Sequence, residues 1–205
     1  MMNPKPSLKT LIPRITLAAF AVLHLAGCSK TVQWEEEVPL NTGETIWVKR
    51  TVKYTYQGGA GNPFDMAYRP ERAEMIDLTW NGKHYRYEGE ARVSLLAISP
   101  QKRPVLVARA PDSSWDAKHG YRCTLPFYVQ FVPDDTGQIW TWPSQIDGWL
   151  FNLPTNLLRV RHPPERMKNR YTAIEVQQEN SPGSENRPSQ QKIDPAYTGD
   201  LCGRK

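Results

Sequence analysis

The chain of 205 residues is 39% hydrophobic, 10% aromatic and 23% charged, and it carries a formal net charge of +5. This composition excludes collagen-like, coiled-coil and polytopic membrane proteins, and the aromatic content is too high for a wholly disordered chain. Eighteen prolines and thirteen glycines interrupt the sequence too often for long helices, which favours one domain of short strands joined by turns.

The first 27 residues have the features of a cleaved export signal. Lys5, Lys9 and Arg14 precede an apolar stretch over residues 15–25, and no acidic residue accompanies them. The stretch is shorter than the roughly 20 apolar residues that span a bilayer, so a signal peptide is favoured over a transmembrane helix. Because these three cations are removed with the signal, the mature charge is about +2 and gives no support for a nucleic-acid partner.

The signal ends in Leu25-Ala26-Gly27-Cys28, which resembles the lipobox of bacterial lipoproteins. The resemblance covers about the first thirty residues and implies cleavage before Cys28, a diacylglycerol thioether on its sulfur and acylation of the new amino group. Three acyl chains exceed what stable membrane anchoring requires. Residues 28–30 then form the lipidated anchor. The aspartate that commonly retains such proteins in the inner membrane is missing, which implies the outer membrane, with the domain facing the periplasm.

A first hairpin is predicted after the anchor, within an expected β domain of residues 31–176. Residues 32–38 alternate between two strand faces, residues 46–56 are rich in β-branched and aromatic side chains, and Asn41-Thr42-Gly43 supplies the turn. The acidic run 35–37 should face basic residues of the second strand as cross-strand pairs on a solvated face, with a cation site as the second interpretation. The basic residues concerned are Lys49, Arg50 and Lys53.

A second hairpin is centred on Asn81-Gly82, a dipeptide suited to a two-residue type I′ turn. This turn puts apolar pairs on one face and polar pairs on the other, so turn chemistry and hydrophobic pattern agree. The predicted cross-strand pairs are Trp80–Lys83, Thr79–His84, Leu78–Tyr85, Asp77–Arg86 and Ile76–Tyr87.

The remaining domain is predicted to contain more short strands. They are placed at residues 91–99, 105–110, 123–132, 138–142 and 171–176. Short helices are expected within residues 146–153 and from Pro164 to Lys168. The fold class is therefore mainly β: an antiparallel sandwich or partly closed barrel of about eight or nine short strands. Residues 177–205 form a polar, low-complexity tail that is expected to be disordered or loosely draped.

Two cysteines remain once Cys28 carries lipid. An oxidising compartment favours a disulfide between Cys123 and Cys202, which would tie down the tail and contribute roughly 4 kcal/mol in the chain-entropy model. Two separate thiols are the alternative.

No pattern for catalysis, a metal or another cofactor is convincing. Asp135-Thr136-Gly137 is similar to the aspartic-protease signature, but no second copy is present and a turn is the simpler interpretation. Asp116, His119 and Cys123 are the nearest approach to a metal cluster, and their spacing fits no zinc pattern. We therefore predict no catalytic residue, and a hydrolase assembled from dispersed residues is the weakest hypothesis.

The seven tryptophans are the most unusual compositional feature. Trp115, in a polar loop, is the first candidate for an exposed binding anchor, followed by Trp140 and Trp142, whose spacing of two places them on one strand face. We expect a lipid-anchored, non-catalytic module that binds a protein partner at the outer membrane. A lipoprotein that binds glycan or peptidoglycan through these tryptophans is the alternative.

Overall fold

Two β-sheets make up most of the computed structural model, which describes residues 29–59, 62–109, 126–143, 145–181 and 188–198. Their strands are β1 (Ser29–Pro39), β2 (Thr45–Gly59), β3 (Asn62–Trp80), β4 (Lys83–Gly89), β5 (Val93–Ile98), β6 (Pro104–Arg109), β7 (Tyr128–Pro133), β8 (Trp140–Thr141) and β9 (Arg170–Tyr171). Sheet 1 has the strand order β4-β3-β2-β1-β9 and sheet 2 the order β5-β6-β7-β8. Neighbouring strands are antiparallel except for the parallel pair β1–β9. The predicted mainly β, sandwich-like fold is confirmed, and the described strands do not form one closed barrel.

Both predicted hairpin turns are present because glycine and asparagine occupy the left-handed backbone positions. Gly43 has φ +88° between β1 and β2, and Asn81 and Gly82 have φ +49° and +74° between β3 and β4. Positive φ at both central residues is the type I′ requirement. All five cross-strand pairs predicted around Asn81-Gly82 are observed.

The main core lies between the sheets. Sheet 1 contributes Val38, Val48, Ile76, Leu78, Tyr85 and Tyr87, and sheet 2 contributes Val93, Leu96, Leu106, Val129 and Phe131. The opposite face of sheet 2 is also buried, because Leu150 and Ile193 cover it. Burial on both faces explains why β5 and β6 are continuous apolar runs rather than alternating ones.

The buried side-chain amide of Asn156 satisfies backbone groups of the edge strand β5 in sheet 2. Asn156 accepts a hydrogen bond from the Leu96 amide and donates to the carbonyls of Leu96 and Pro39, at 2.8–2.9 Å. The backbone amides of Asn156 and Leu157 both donate to Ser94. The edge of β5 is therefore satisfied by this segment, which also joins it to the end of β1.

The strand predicted at residues 171–176 is wrong beyond its first residue. Only Arg170–Tyr171 is a strand, and helix α1 (Ala173–Asn180) follows. Thr172 and Glu175 form a capping box, in which each side chain accepts a hydrogen bond from the other residue's backbone amide. This pair satisfies two amides at the helix start and outweighs the β-branched character of the segment.

Part of the tail predicted to be loose packs on the domain. Helix α2 (Pro188–Gln191) is followed by Ile193, which is completely buried. Backbone hydrogen bonds join Asn152 and Leu153 to Ile193 at 2.8–2.9 Å. The folded domain therefore continues beyond residue 176.

Both short helices expected from the sequence are single 3₁₀ turns, at Gly148–Leu150 and Pro164–Arg166. None of the helices in the described residues is long and apolar enough to cross a bilayer.

Substituting Gly82→Val should lower the free energy of unfolding by about 1–2 kcal/mol, because an L-amino acid is strained at this positive φ. An added Cβ would meet no atom within 4 Å, so the loss would report on the backbone alone. Urea denaturation measures it. Gly148→Ala is the control, since its Cβ would make only ordinary contacts with Phe151. Unchanged stability of Gly82→Val would contradict the turn.

Candidate functional site

The first strand begins within the predicted anchor of residues 28–30, two residues before the expected start of the β domain. Cys28 itself lies outside the described residues, but Ser29 is already the first residue of β1 and pairs with Thr55 of β2. Consecutive α-carbons are about 3.8 Å apart. A lipid on Cys28 would therefore be attached one residue from the sheet, without a linker.

A two-stranded arm extends from this end of sheet 1. β2 and β3 continue past the paired regions of β1 and β4 to the pairs Tyr56–Tyr68 and Gly59–Asn62. The arm exposes large apolar side chains: Phe64 is 92% exposed, Met66 45% and Tyr56 44%. Sequence analysis missed this hairpin. The glycine-rich run over residues 58–61 was the available signal for its turn.

The predicted tryptophan sites have different surroundings. Trp140 is half-buried; its indole nitrogen donates to the Arg86 carbonyl at 2.7 Å, and its ring meets that of Tyr87 edge-on at 5.8 Å. Trp142 follows β8, is 38% exposed and meets the ring of Phe131 at 6.3 Å. Trp115 lies outside the described residues. Trp142 is therefore more exposed than Trp140.

Of the weak chemical motifs, the structure describes Asp135-Thr136-Gly137, the one that is similar to the aspartic-protease signature. Asp134 accepts hydrogen bonds from the Thr136 hydroxyl and the amides of Gly137 and Ile139, and the Thr136 bond is the main cause of the lowered pKa of Asp134. With Gly137 at φ +80°, residues 134–137 are a turn, as predicted.

The predicted disulfide, Cys123–Cys202, lies outside the described residues, as do Asp116 and His119. Within the described ranges, no three His, Cys, Asp or Glu side chains are grouped as metal ligands.

A buried ionic triad corrects the interpretation of the acidic run. Glu36 and Arg50 were expected on a solvated face, but they are 0% and 1% exposed. Arg50 forms ion pairs with Glu36 at 3.1 Å and with Glu74 of β3. Glu35, in contrast, faces Lys49 on the exposed side, as predicted.

The remaining polar atoms of the triad bind several parts of the fold. Glu36 accepts from the indole of Trp34 at 2.9 Å and from the amide of Leu158, and Arg50 donates to the Leu158 carbonyl at 2.7 Å. Glu74 accepts from the amide of Val93, the first residue of β5. The triad therefore connects both sheets and the segment around residue 158.

Burial and charge pairing oppose each other within the triad. Burial raises the pKa of Glu36, and Arg50 and the hydrogen bond from Trp34 only partly offset this. Burial by itself would lower the pKa of Arg50, but Glu74 and Glu36 raise it above the ordinary value. Arg50 therefore stays charged and allows at least one carboxylate to be buried as an anion.

Replacing Arg50→Met should lower the free energy of unfolding by about 3–5 kcal/mol at neutral pH, because two buried carboxylates lose their cation. The pKa of Glu36 in the folded variant would rise further above its unfolded value. Ionisation would then oppose folding, so the loss should grow as the pH rises from about 4.5 to 7.5. Urea denaturation across this range measures it.

Arg86→Met is the matched control. It removes an exposed partner of Asp77 at 2.7 Å and should leave stability nearly unchanged. Equal losses for the two variants, or a loss at Arg50 that does not depend on pH, would contradict the role of the triad.

An arginine-lined cavity lies beside the triad. Its volume is about 120 Å³, and five arginines from four parts of the chain line it. They are Arg50, Arg92, Arg109, Arg159 and Arg161. Two carboxylates, of Glu71 and Glu74, also line it. Sequence analysis did not single out these residues, because they are far apart in the chain.

A larger cleft of about 650 Å³ lies between α1, α2 and the end of β1. Among the described residues, its lining has no charged side chain and includes six amides, of Asn41, Asn156, Gln177, Asn180, Gln190 and Gln191. The two spaces therefore differ in chemistry: one is neutral and amide-rich, and the other is strongly basic.

Comparison with protein-family models, with curated proteins and with solved structures finds no match to this chain.

Proposed function

We propose that this chain is a non-catalytic lipoprotein of the bacterial cell envelope, anchored through acyl chains on Cys28. The observation that supports it best is the start of β1 at Ser29, directly after the lipobox and beside the arm that exposes Phe64 and Met66. A lipidated Cys28 would hold this arm close to the bilayer surface. Apolar side chains that would be costly in water can then contact lipid.

The opposite end of the domain is the proposed partner surface. β3 has 19 residues, so its ends are about 60 Å apart along a fully extended strand. Its far end lies beside the turn of residues 134–137, because Gly137 accepts a hydrogen bond from the Arg86 amide at 3.0 Å. Ile139 and Trp142 are 63% and 38% exposed near this end. We assign them to the binding of an envelope protein.

The proposed location is the outer membrane, with the domain facing the periplasm. The oxidising periplasm would also favour the disulfide between Cys123 and Cys202. Binding of glycan or peptidoglycan is the second candidate, and the exposed indole of Trp142 supports it.

Cys28→Ser should abolish incorporation of an alkyne-labelled fatty acid and remove the protein from the outer-membrane fraction. The reason is that the thioether and the processing step both need the cysteine sulfur. Cys123→Ser is the matched control and should retain label and location. A wild type without label, or a labelled Cys28→Ser, would contradict the anchor.

Photo-crosslinking tests the orientation of the domain in the membrane. A benzophenone amino acid replaces Phe64, Ile139 or, as an exposed control on helix α1, Ile174. In cells, position 64 should give lipid adducts and position 139 adducts with a specific envelope protein. Glycan adducts at position 139 would favour the second candidate. Lipid adducts at position 139 rather than 64 would contradict the orientation.

A further inference from the structure

The arginine cavity has an excess of positive charge. Glu74 is bonded to Arg50 and to the Val93 amide, and Glu71 is bonded to Lys53 and Thr55. Both carboxylates are therefore bonded to groups other than the four outer arginines of the cavity, which are Arg92, Arg109, Arg159 and Arg161.

Three of these outer arginines have no acidic partner among the described residues. Arg92 donates to the Pro70 carbonyl at 3.1 Å, and Arg159 donates to the Asn180 carbonyl at 3.5 Å. No ion pair joins Arg92, Arg109 or Arg159 to a carboxylate in the described part of the chain. Neutral carbonyl partners leave the positive charges uncompensated.

The strand register brings like charges together. Val93 pairs with Ala108, so Arg92, which directly precedes β5, and Arg109, the last residue of β6, lie one residue beyond this pair. Like charges in opposite positions are unfavourable. Arg92 keeps much of its solvent exposure, but its partial desolvation lowers its pKa, and repulsion from Arg72 and Arg109 lowers it further, although Glu74 opposes. An anion in the cavity would relieve this repulsion.

Two residues of the cavity lining carry unsatisfied buried polar atoms. Within the described residues, Nε of Arg50 and Oε1 of Gln190 have no hydrogen-bond partner, and these side chains are 1% and 6% exposed. Both residues line the cavity. A buried donor and a buried acceptor without partners are both costly, and the two residues that carry them lie in the wall of the cavity.

The geometry points to a phosphate-binding site in this cavity, with Arg92, Arg109 and Arg159 as the main ligands. Guanidinium groups recognise phosphate through paired N–H···O bonds. A tetrahedral phosphate group can accept from several arginines that approach from different directions, whereas a planar carboxylate satisfies one or two. The volume of about 120 Å³ accommodates one such group.

Two sources can supply this phosphate. One is a free phosphate or phosphorylated solute. The other is a phospholipid headgroup. Pro70 lines the cavity and pairs with Tyr54, and the next residue, Thr55, pairs with Ser29. This edge of the cavity is therefore close to the proposed anchor at Cys28. Only the headgroup source depends on the proposed lipid anchor.

The test is a thermal unfolding measurement on the purified full chain in neutral detergent, at about pH 7.5. Addition of about 20 mM inorganic phosphate should raise the Tm by about 3–5 °C above sodium chloride of equal ionic strength, if the dissociation constant is about 1 mM. The double variant Arg92→Gln/Arg109→Gln should lose this shift. Its Tm without phosphate should be no lower than that of the wild type, because the repulsion between the two arginines is gone.

Arg69→Gln/Arg86→Gln is the matched control. It also removes two positive charges, but each of these arginines has a surface carboxylate partner, Asp65 and Asp77. The control should keep the full phosphate shift. Equal effects of phosphate and chloride, or a full shift in the Arg92/Arg109 variant, would overturn the proposal.

Vesicles distinguish the two sources. Phosphatidylcholine vesicles with about one-third phosphatidylglycerol should raise the Tm and weaken the response to added phosphate if the ligand is a headgroup. If the ligand is a free solute, the response to phosphate should be the same in these vesicles as in the neutral detergent, which contains no phosphate headgroup. Because the phosphate measurement is made in detergent, its failure is distinct from a failure of the Cys28→Ser test.

Discussion

The ion pairs of Arg50 with Glu36 and Glu74 are the constraint on which the rest of the domain depends. Apolar contacts tolerate small shifts between strands, but a buried charge must meet its partner at hydrogen-bonding distance or cost several kcal/mol. The triad therefore fixes the register of β1, β2 and β3 together. Through the amides of Val93 and Leu158 it also fixes where sheet 2 and the following segment lie on sheet 1.

The placement of charge is more informative than its total. Residues 28–205 have a formal charge of only about +2, yet five arginines line one small cavity, while the described residues that line the larger cleft include none. The long β2–β3 hairpin also separates the two ends of the domain. One end combines the predicted lipid, the exposed apolar arm and the arginine cavity, which is a suitable combination for a surface that faces a membrane. The other end of the domain exposes Ile139 and Trp142.

Much of the fold could be predicted, because turns and hairpins depend on neighbouring residues. Asn81-Gly82 was sufficient to predict both the turn and the register of β3 and β4. The predictions failed where two local signals competed, or where contacts with distant parts of the chain decided which residues are buried. The segment after Tyr171 has β-branched residues, but the capping box of Thr172 and Glu175 makes it helical. The polar composition around residue 193 indicated disorder, but Ile193 finds an apolar face on sheet 2.

By itself, the sequence determined the mainly β class and two hairpin turns, and it predicts an export signal that ends in a lipobox-like pattern, since each depends on residues close together in the chain. Alternation even placed Glu36 on one face with Trp34 and Val38, but it could not show that Arg50 and Glu74 would meet it in the interior. Only the tertiary structure decided this, and it also brought Arg92, Arg109 and Arg159 to one cavity. The physical reason is that burial and long-range charge pairing depend on how the sheets stack, which no local pattern encodes.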